Sequence, residues 1–257
     1  MDQLRDLIAR VSIRAMADVR PAAEALRDIA HDLAGFRVAA ADNIASKAPM
    51  VDEDGGVLAA EVFGFNAEHE RWWADSRLAL SSPLTRACRY ESETFWANAD
   101  GFRVRQHNRY LDAIDLSNFE KRALCKAAIV TPIHLPFGQI GSVAFGPPDG
   151  DRADLSAEFE AHGDMLGLLA YRFVAGYVKA VRTRHWLPVD CQLTKREVEC
   201  LRWAAIGKTD REIGMIIDLS HATVRYHVHR AGEKLNAINR AQAIFKAGQL
   251  GYLGASS

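Results

Sequence analysis

Hydrophobic residues in the last quarter of the chain recur at helical spacing in separate runs. An apolar residue at every third or fourth position is typical of an α-helix that buries one face. The three runs contain, in order, Val198, Leu201 and Ala205; Ile213, Ile216 and Ile217; and Val224, Val228, Ala231 and Leu235. The pattern therefore predicts a bundle of short helices that bury their apolar stripes against one another.

Capping residues mark where these helices begin. Thr194 with Glu197, and Thr209 with Glu212, form T-x-x-E capping boxes, in which hydroxyl and carboxylate bond the free N–H groups of the first turn. Ser220 is a further N-cap residue, just before the longest apolar stripe. We therefore expect a short helix, a tight turn and a longer helix.

The face of the longer helix opposite its apolar stripe presents Ala222, Arg225, Tyr226 and His229. A short helix, a tight turn and a helix with such an outer face can enter the major groove of DNA, while amides at helix starts hold phosphates. The predicted DNA contacts are Lys208, Thr209, Ser220, His221, Ala222, Thr223, Arg225, Tyr226, His229 and Arg230. Periodicity alone leaves open a plain helical bundle with a solvated charged face.

Charge is distributed unevenly between the two parts of the chain. The overall net charge is -1, but residues 190–257 hold 10 Lys and Arg against 7 Asp and Glu, whereas the remainder holds 22 against 26. A positive C-terminal part after a negative N-terminal part indicates an anionic partner for the C-terminal part alone.

Alternating patterns before residue 190 predict a mixed domain. Helices are expected at 1–18, 21–34, 66–79, near 107–114, after Ser117 and at 156–182, with strands at 36–43, 94–104, 128–135 and 139–146. The predicted fold class is α+β, an α/β/α sandwich followed by an all-α four-helix helix-turn-helix domain. The predicted domains are 1–181 and 191–257, joined by a linker at 182–190.

Several classes of protein and site are excluded by missing signals. The sequence shows no signal peptide, no apolar run of membrane-spanning length, no paired CxxC motif, no P-loop and no activated-nucleophile motif. We therefore expect a cytoplasmic globular protein that is not an enzyme and holds no metal or cofactor. A sensor domain that hydrolyses its own signal is the alternative without a supporting motif.

The C-terminal segment resembles the LuxR-type helix-turn-helix signature. The resemblance is carried by L-T-x-R-E-x-E-C-L-x-W-A-A-x-G-K-T-D-x-E-I, then S-x-x-T-V-R-Y-H-V-x-x-A-x-x-K-L and N-R-A-Q-A, about a quarter of the chain. It implies a four-helix unit that binds double-stranded DNA at a palindromic promoter site, with a last helix near 240–249 that pairs two subunits. A homodimer is the implied assembly, and RNA polymerase a further partner.

The N-terminal segment resembles the autoinducer-binding domain of LuxR-type regulators in its layout. Ser82-Pro83 falls on the family's Asp-Pro pair, Trp96 on its later Trp and Ala128 on its Gly, so that two of six signature positions are kept. The earlier positions deviate, with His69 where a Trp is expected and Trp73 where a Tyr is expected. The predicted ligand-binding residues are Phe63, His69, Trp72, Trp73, Ser82, Pro83, Trp96 and Ala128. Packing in an ordinary core is the alternative for each aromatic residue.

Together these resemblances imply a ligand-responsive, sequence-specific transcriptional regulator of the quorum-sensing type. The small-molecule signal would be an acyl-homoserine lactone or another compound. The alternatives are an orphan regulator that responds to a non-lactone molecule or acts without ligand, and a module that sequesters another regulator.

Overall fold

The computed structural model describes residues 2–46, 48–67, 80–148, 152–181 and 191–254. The chain divides into two compact units, Met1–Leu135 with Gln139–Arg182, and Pro136–Gly138 with Thr183–Ser257. The predicted linker at 182–190 lies outside the described residues. The domain boundaries therefore stay a prediction.

The described residues of the first unit combine helices with an antiparallel sheet. Its helices are α1 (Asp2–Arg10), α2 (Val19–Ala34), α3 (Leu58–Glu61), α4 (Pro83–Ala87), α5 (Phe119–Ala123) and α6 (Ser156–Val181). Its strands are β1 (Arg37–Ala41), β2 (Phe95–Asn98), β3 (Gly101–Arg103), β4 (Ala127–His134) and β5 (Ile140–Gly146). The strand order is β1-β5-β4-β2-β3.

Pairing in the sheet sets which side chains share a face. In the β2–β4 ladder Trp96 lies opposite Ile129, and Ala97 lies opposite Ala128. Because side chains alternate along a strand, these two pairs point to opposite faces. The strands predicted at 128–135 and 139–146 are confirmed as β4 and β5, which a tight connection around Gly138 joins in a hairpin with His134 opposite Ile140.

Each face of the sheet has its own apolar core. On the first face, α1, α2 and α6 cover Val38, Ile129, Phe145 and Trp96. On the second face, α4 and α5 and the segments near them cover Phe95, Ala97, Ala128 and Val130. This arrangement confirms the predicted α/β/α sandwich.

Several predicted elements of the first unit differ in their bounds. The helix predicted at 1–18 ends at Arg10, and a short 3-10 turn follows at Met16–Asp18. The strand predicted at 94–104 is a hairpin, β2 and β3, closed by Gly101 at φ 145. The helix predicted near 107–114 is wrong, because that segment forms isolated turns. Most of the helix predicted at 66–79 lies outside the described residues.

In its described residues, the second unit is a bundle of four helices around an apolar core. They are α7 (Lys195–Ala205), α8 (Asp210–Ile217), α9 (His221–Lys234) and α10 (Arg240–Gln249). The core contains Cys200, Leu201, Ala204, Ile213, Val224, Val228, Ala231, Leu235, Ala243 and Ala247. Two residues of the predicted stripes, Ala205 and Ile216, are exposed, because the buried arc of each short helix is narrower than its apolar pattern.

Among the described residues, no helix combines the length and apolar character needed to cross a membrane.

Candidate nucleic-acid interface

The turn between α8 and α9 depends on Gly214. Asp218 ends α8 in the left-handed conformation, at φ 54, and the Leu219 N–H donates to the Gly214 carbonyl at 2.9 Å. A Cβ on Gly214 would lie only 2.4 Å from the Leu219 carbonyl oxygen. Only glycine lets the backbone of the turn approach the helix this closely, a constraint that the helical periodicity does not reveal.

The predicted caps are confirmed by their hydrogen bonds. The Glu212 N–H donates to Thr209 Oγ1 at 3.3 Å, and the Thr209 N–H donates back to Glu212 Oε2 at 2.8 Å. At the start of α9, the Thr223 N–H donates to Ser220 Oγ at 3.1 Å. The Thr209 and Ser220 side chains therefore fix the helix starts, whatever further contact they make with phosphate.

The two sides of α9 differ in burial, as the sequence predicted. Val224 and Val228 are buried in the core of the bundle. On the other side, the Arg225 side chain is 74% exposed and Tyr226 is 60% exposed, and His229 is exposed as well. This solvent-facing row contains three of the predicted DNA contacts.

An open groove of about 820 Å³ lies beside this row. Its lining residues are Ala204, Gly207, Lys208, Thr209, Asp210, Arg211, His221, Arg225 and Arg240. Four of these carry a positive charge and one a negative charge. A concave surface with this excess of positive charge attracts a polyanion. Basic side chains near a DNA backbone bind it by releasing counterions.

Three of the predicted DNA contacts lie close to a carboxylate of the same unit. Arg230 forms an ion pair with Glu233 at 2.7 Å, and His229 Nδ1 lies 3.8 Å from the same carboxylate. Lys208 Nζ lies 3.9 Å from Glu212. These pairs are solvent-exposed and therefore contribute little to stability.

Lys246 supports the C-terminal end of α9. Its side chain is buried, and its Nζ donates to the carbonyls of Leu235 at 3.1 Å and Asn236 at 2.6 Å. These carbonyls lie at the end of the helix, where the backbone has no intrahelical donor. The sequence pattern gave no reason to separate this lysine from the basic surface residues.

Glu197 and Lys234 join the first and third helices of the bundle. Lys234 Nζ lies 2.8 Å from Glu197 Oε2, and the Thr194 N–H donates to the same oxygen at 2.7 Å. Burial by itself would raise the pKa of Glu197, but the hydrogen bonds from Lys234 and Thr194 outweigh it. The pKa of Glu197 therefore lies below its ordinary value.

This pair makes the stability of the second unit depend on pH. Because the folded pKa of Glu197 is lowered, its stabilisation is complete above the unfolded pKa and is lost as pH falls through the folded pKa. We expect Glu197→Gln to lose about 1–3 kcal/mol at neutral pH and to be nearer to wild type in acid. Denaturant unfolding of both proteins across acidic and neutral pH measures this. An equal gap at every pH would contradict the assignment.

The predicted ligand residues of the first unit fall on different faces of its sheet. Ser82 and Pro83 are buried at the start of α4, and Ala128 lies on the second face. Trp96 and Phe63 belong instead to the first-face core. The structure therefore does not bring all five together, because strand alternation sends Trp96 to the face opposite Ala128.

Phe63 has an ordinary packing role on that first face. Its ring meets Phe173 of α6 edge to face, with centroids 6.4 Å apart. His69, Trp72 and Trp73 lie outside the described residues, so their predicted contacts with ligand stay predictions.

Arg122, which the sequence did not single out, fixes the segment before Ser82. Its Nε donates to the Ser81 carbonyl at 2.9 Å, and its Nη1 donates to Asp115 Oδ2 at 2.8 Å. Arg122 lies on α5, so it links the two short helices that cover the second face. The sequence did contain a signal for this role, because Arg122 lies next to a turn rich in Ser and Asp.

The thiols of the first unit are poorly suited to nucleophilic chemistry. Burial raises the pKa of Cys88 and of Cys125 to about 12. Both groups therefore stay protonated at neutral pH, whereas the attacking species in cysteine enzymes is the thiolate.

Comparison with known protein families finds a match in the second unit. The family model described as bacterial regulatory proteins, luxR family, matches residues 191–247. The transcriptional activator protein VanR of Vibrio anguillarum is 39% identical over 132 residues, which are 50% of this chain and 52% of that protein. The matched region thus spans about half the length of VanR.

A second relative matches more of the chain. The HTH-type quorum sensing-dependent transcriptional regulator VjbR of Brucella ovis is 30% identical over 200 residues, which cover 70% of this chain and 75% of VjbR. Among solved structures, Escherichia coli SdiA covers 72% of each chain at 23% identity with a TM-score of 0.38. From the family match in the second unit and the extent of the likeness to VjbR, the chain belongs to the LuxR family of bacterial regulatory proteins.

Proposed function

We propose that this protein is a ligand-responsive, sequence-specific transcriptional regulator of the quorum-sensing type, which acts on promoter DNA in the cytoplasm. The observation that carries the proposal is the exposed row of Arg225, Tyr226 and His229 on α9, opposite its buried stripe and beside a basic groove. That row has the position and the chemistry to read base edges in the major groove. The relatives VanR and VjbR, named as transcriptional regulators, support the same function.

Selection from a pool of duplexes with a randomised central segment tests this proposal. The full chain is expected to enrich one sequence family, and the enriched duplex should bind more tightly than a scrambled version. The experiment is run with and without an extract from stationary culture as a source of signal. Equal binding to enriched and scrambled duplexes under both conditions would exclude a sequence-specific regulator and favour the sequestering module.

We further propose that the active form is a homodimer on a palindromic site, with RNA polymerase as a later partner. Support comes from α10 and the segment before it, where Ile238 is 86% exposed and Phe245 is 57% exposed. Exposed apolar side chains on α10 and just before it suit an isologous contact, in which both copies use the same patch. Inverted half-sites in the enriched duplex would support the dimer, and a single half-site would contradict it.

We propose that the signal binds on the second face of the sheet, between the strands and α4 and α5. Ser82 and Ala128 both belong to that side of the unit, and Arg122 holds its covering helices together. The second candidate, a regulator of the same kind that responds to a non-lactone compound, is favoured by Ser82. A neutral hydroxyl gives a weaker hydrogen bond to a lactone amide than the carboxylate of the family pattern, because charge-assisted bonds are about twice as strong.

Ser82→Asp is expected to strengthen binding of an acyl-homoserine lactone by about tenfold, equivalent to about 1.4 kcal/mol. Calorimetry with a series of lactones of varied acyl length measures both proteins. Ser81→Asp is the matched control, since it adds the same charge one residue earlier and should leave affinity unchanged. Sub-micromolar binding of an ordinary lactone by the wild type would refute the preference for another compound.

A further inference from the structure

The carboxylate of Asp210 lies where three helices of the second unit meet. Asp210 is the first residue of α8, and its side chain is 18% exposed. Arg240, the first residue of α10, donates from Nη1 to Oδ1, while Nε of Arg225 on α9 lies 3.5 Å from Oδ2. Each carboxylate oxygen of Asp210 therefore contacts a different arginine.

The two arginines are held to different degrees. Arg240 has a second anchor, because its Nη2 donates to the Lys208 carbonyl at 2.8 Å. Arg225 has a single long contact, on the Nε side of its guanidinium, and in the part of the chain that the structure describes it makes no other ion pair or hydrogen bond. Its two terminal amino groups are therefore left to face solvent along the predicted reading surface.

This geometry suits the way arginine recognises a base. Parallel hydrogen bonds from one guanidinium to O6 and N7 of guanine are the commonest specific contact in the major groove. A long side chain that is already restrained loses less conformational entropy when it binds. A nearby carboxylate also weakens attraction of the same arginine to phosphates, which are identical for every sequence.

We propose that Asp210 is a positioning residue that sets the sequence discrimination of α9. It orients Arg225 toward base edges, and its charge restrains Arg225 and Arg240 from binding the backbone of any DNA. This inference rests on the proposed DNA-binding function. It differs from a merely structural role for Asp210, which would weaken binding to all sequences alike.

Replacing the carboxylate is expected to raise affinity for the two kinds of DNA by different amounts. Asp210→Asn removes the restraint, so affinity for scrambled duplex rises and the logarithmic salt dependence steepens by about 0.9 for each guanidinium that gains a phosphate. Affinity for the enriched duplex rises less, since Arg225 is no longer oriented. The ratio of the two affinities should fall about tenfold, within the range that one bidentate arginine–guanine pair provides.

The test uses the full chain, the duplex that the wild type enriches and its scrambled version, titrated at several salt concentrations. The matched control is Asp218→Asn, the same change at the other end of α8, at an exposed position whose positive φ also suits asparagine. This control should raise affinity for both duplexes and preserve their ratio. A ratio that falls as far in Asp218→Asn as in Asp210→Asn would overturn the inference.

Two further variants separate positioning from folding. Arg225→Lys keeps the charge and leaves the Asp210–Arg240 pair in place, but it lacks the Nε–H that Asp210 holds, so it should lose discrimination on an intact fold. In an Arg225→Ala background, Asp210→Asn should change the ratio no further. An unchanged ratio in Arg225→Lys would overturn the inference, and so would a full Asp210 effect without Arg225. If the wild type enriches no sequence, the proposed function fails and the inference falls with it.

Discussion

Gly214→Ala is expected to destabilise the second unit by about 1–3 kcal/mol. Alanine favours helices over glycine by about 1 kcal/mol, so propensity alone predicts a gain. The new Cβ, however, would lie 2.4 Å from the Leu219 carbonyl oxygen, a backbone atom that can move only if the turn opens. Overpacking this site costs more free energy than the higher helix propensity of alanine contributes. Hydrogen exchange across residues 195–249, followed by mass spectrometry, measures the change.

Gly248→Ala is the matched control for this prediction. Gly248 is an exposed helical residue of α10, and a Cβ there meets nothing within 4 Å. The same substitution should therefore leave protection unchanged or raise it, by at most about 1 kcal/mol. Equal behaviour of the two variants would show that the turn after α8 tolerates a side chain and would remove the structural reason for glycine.

Arg225→Ala is expected to cost about 1–3 kcal/mol of binding to the preferred duplex and to relax the preference at one base position. The reason is that Arg225 is an exposed side chain on the reading side of α9 and supports no part of the core. Its loss should therefore leave stability unchanged. Affinity titrations on the enriched duplex and on single-base variants measure both effects.

Lys208→Ala provides the comparison. Lys208 lines the groove at the start of α8, where a phosphate and not a base is the expected partner. This variant should weaken binding to enriched and scrambled duplexes alike and reduce the salt dependence by about 0.9. Unchanged sequence preference in Arg225→Ala would contradict the assignment of base reading to Arg225.

The sequence by itself determined the architecture of the second unit. The caps at Thr194, Thr209 and Ser220 and the stripe that begins at Val224 are local signals, since each depends on residues within one or two helical turns. They placed the helix starts and gave α9 its buried and exposed sides. The same local logic found the long helix α6 and the β4–β5 hairpin of the first unit.

Only the tertiary structure decided which distant residues meet. Strand alternation placed Trp96 and Ala128 on opposite faces, although the family resemblance implied that both line one ligand-binding site. Asp210 became a partner of Arg225 and Arg240, and Lys246 a buried cap of α9, through contacts between separate helices. Such pairings depend on how elements pack and not on periodicity within an element, because periodicity specifies which face is buried but not which residue lies across from it.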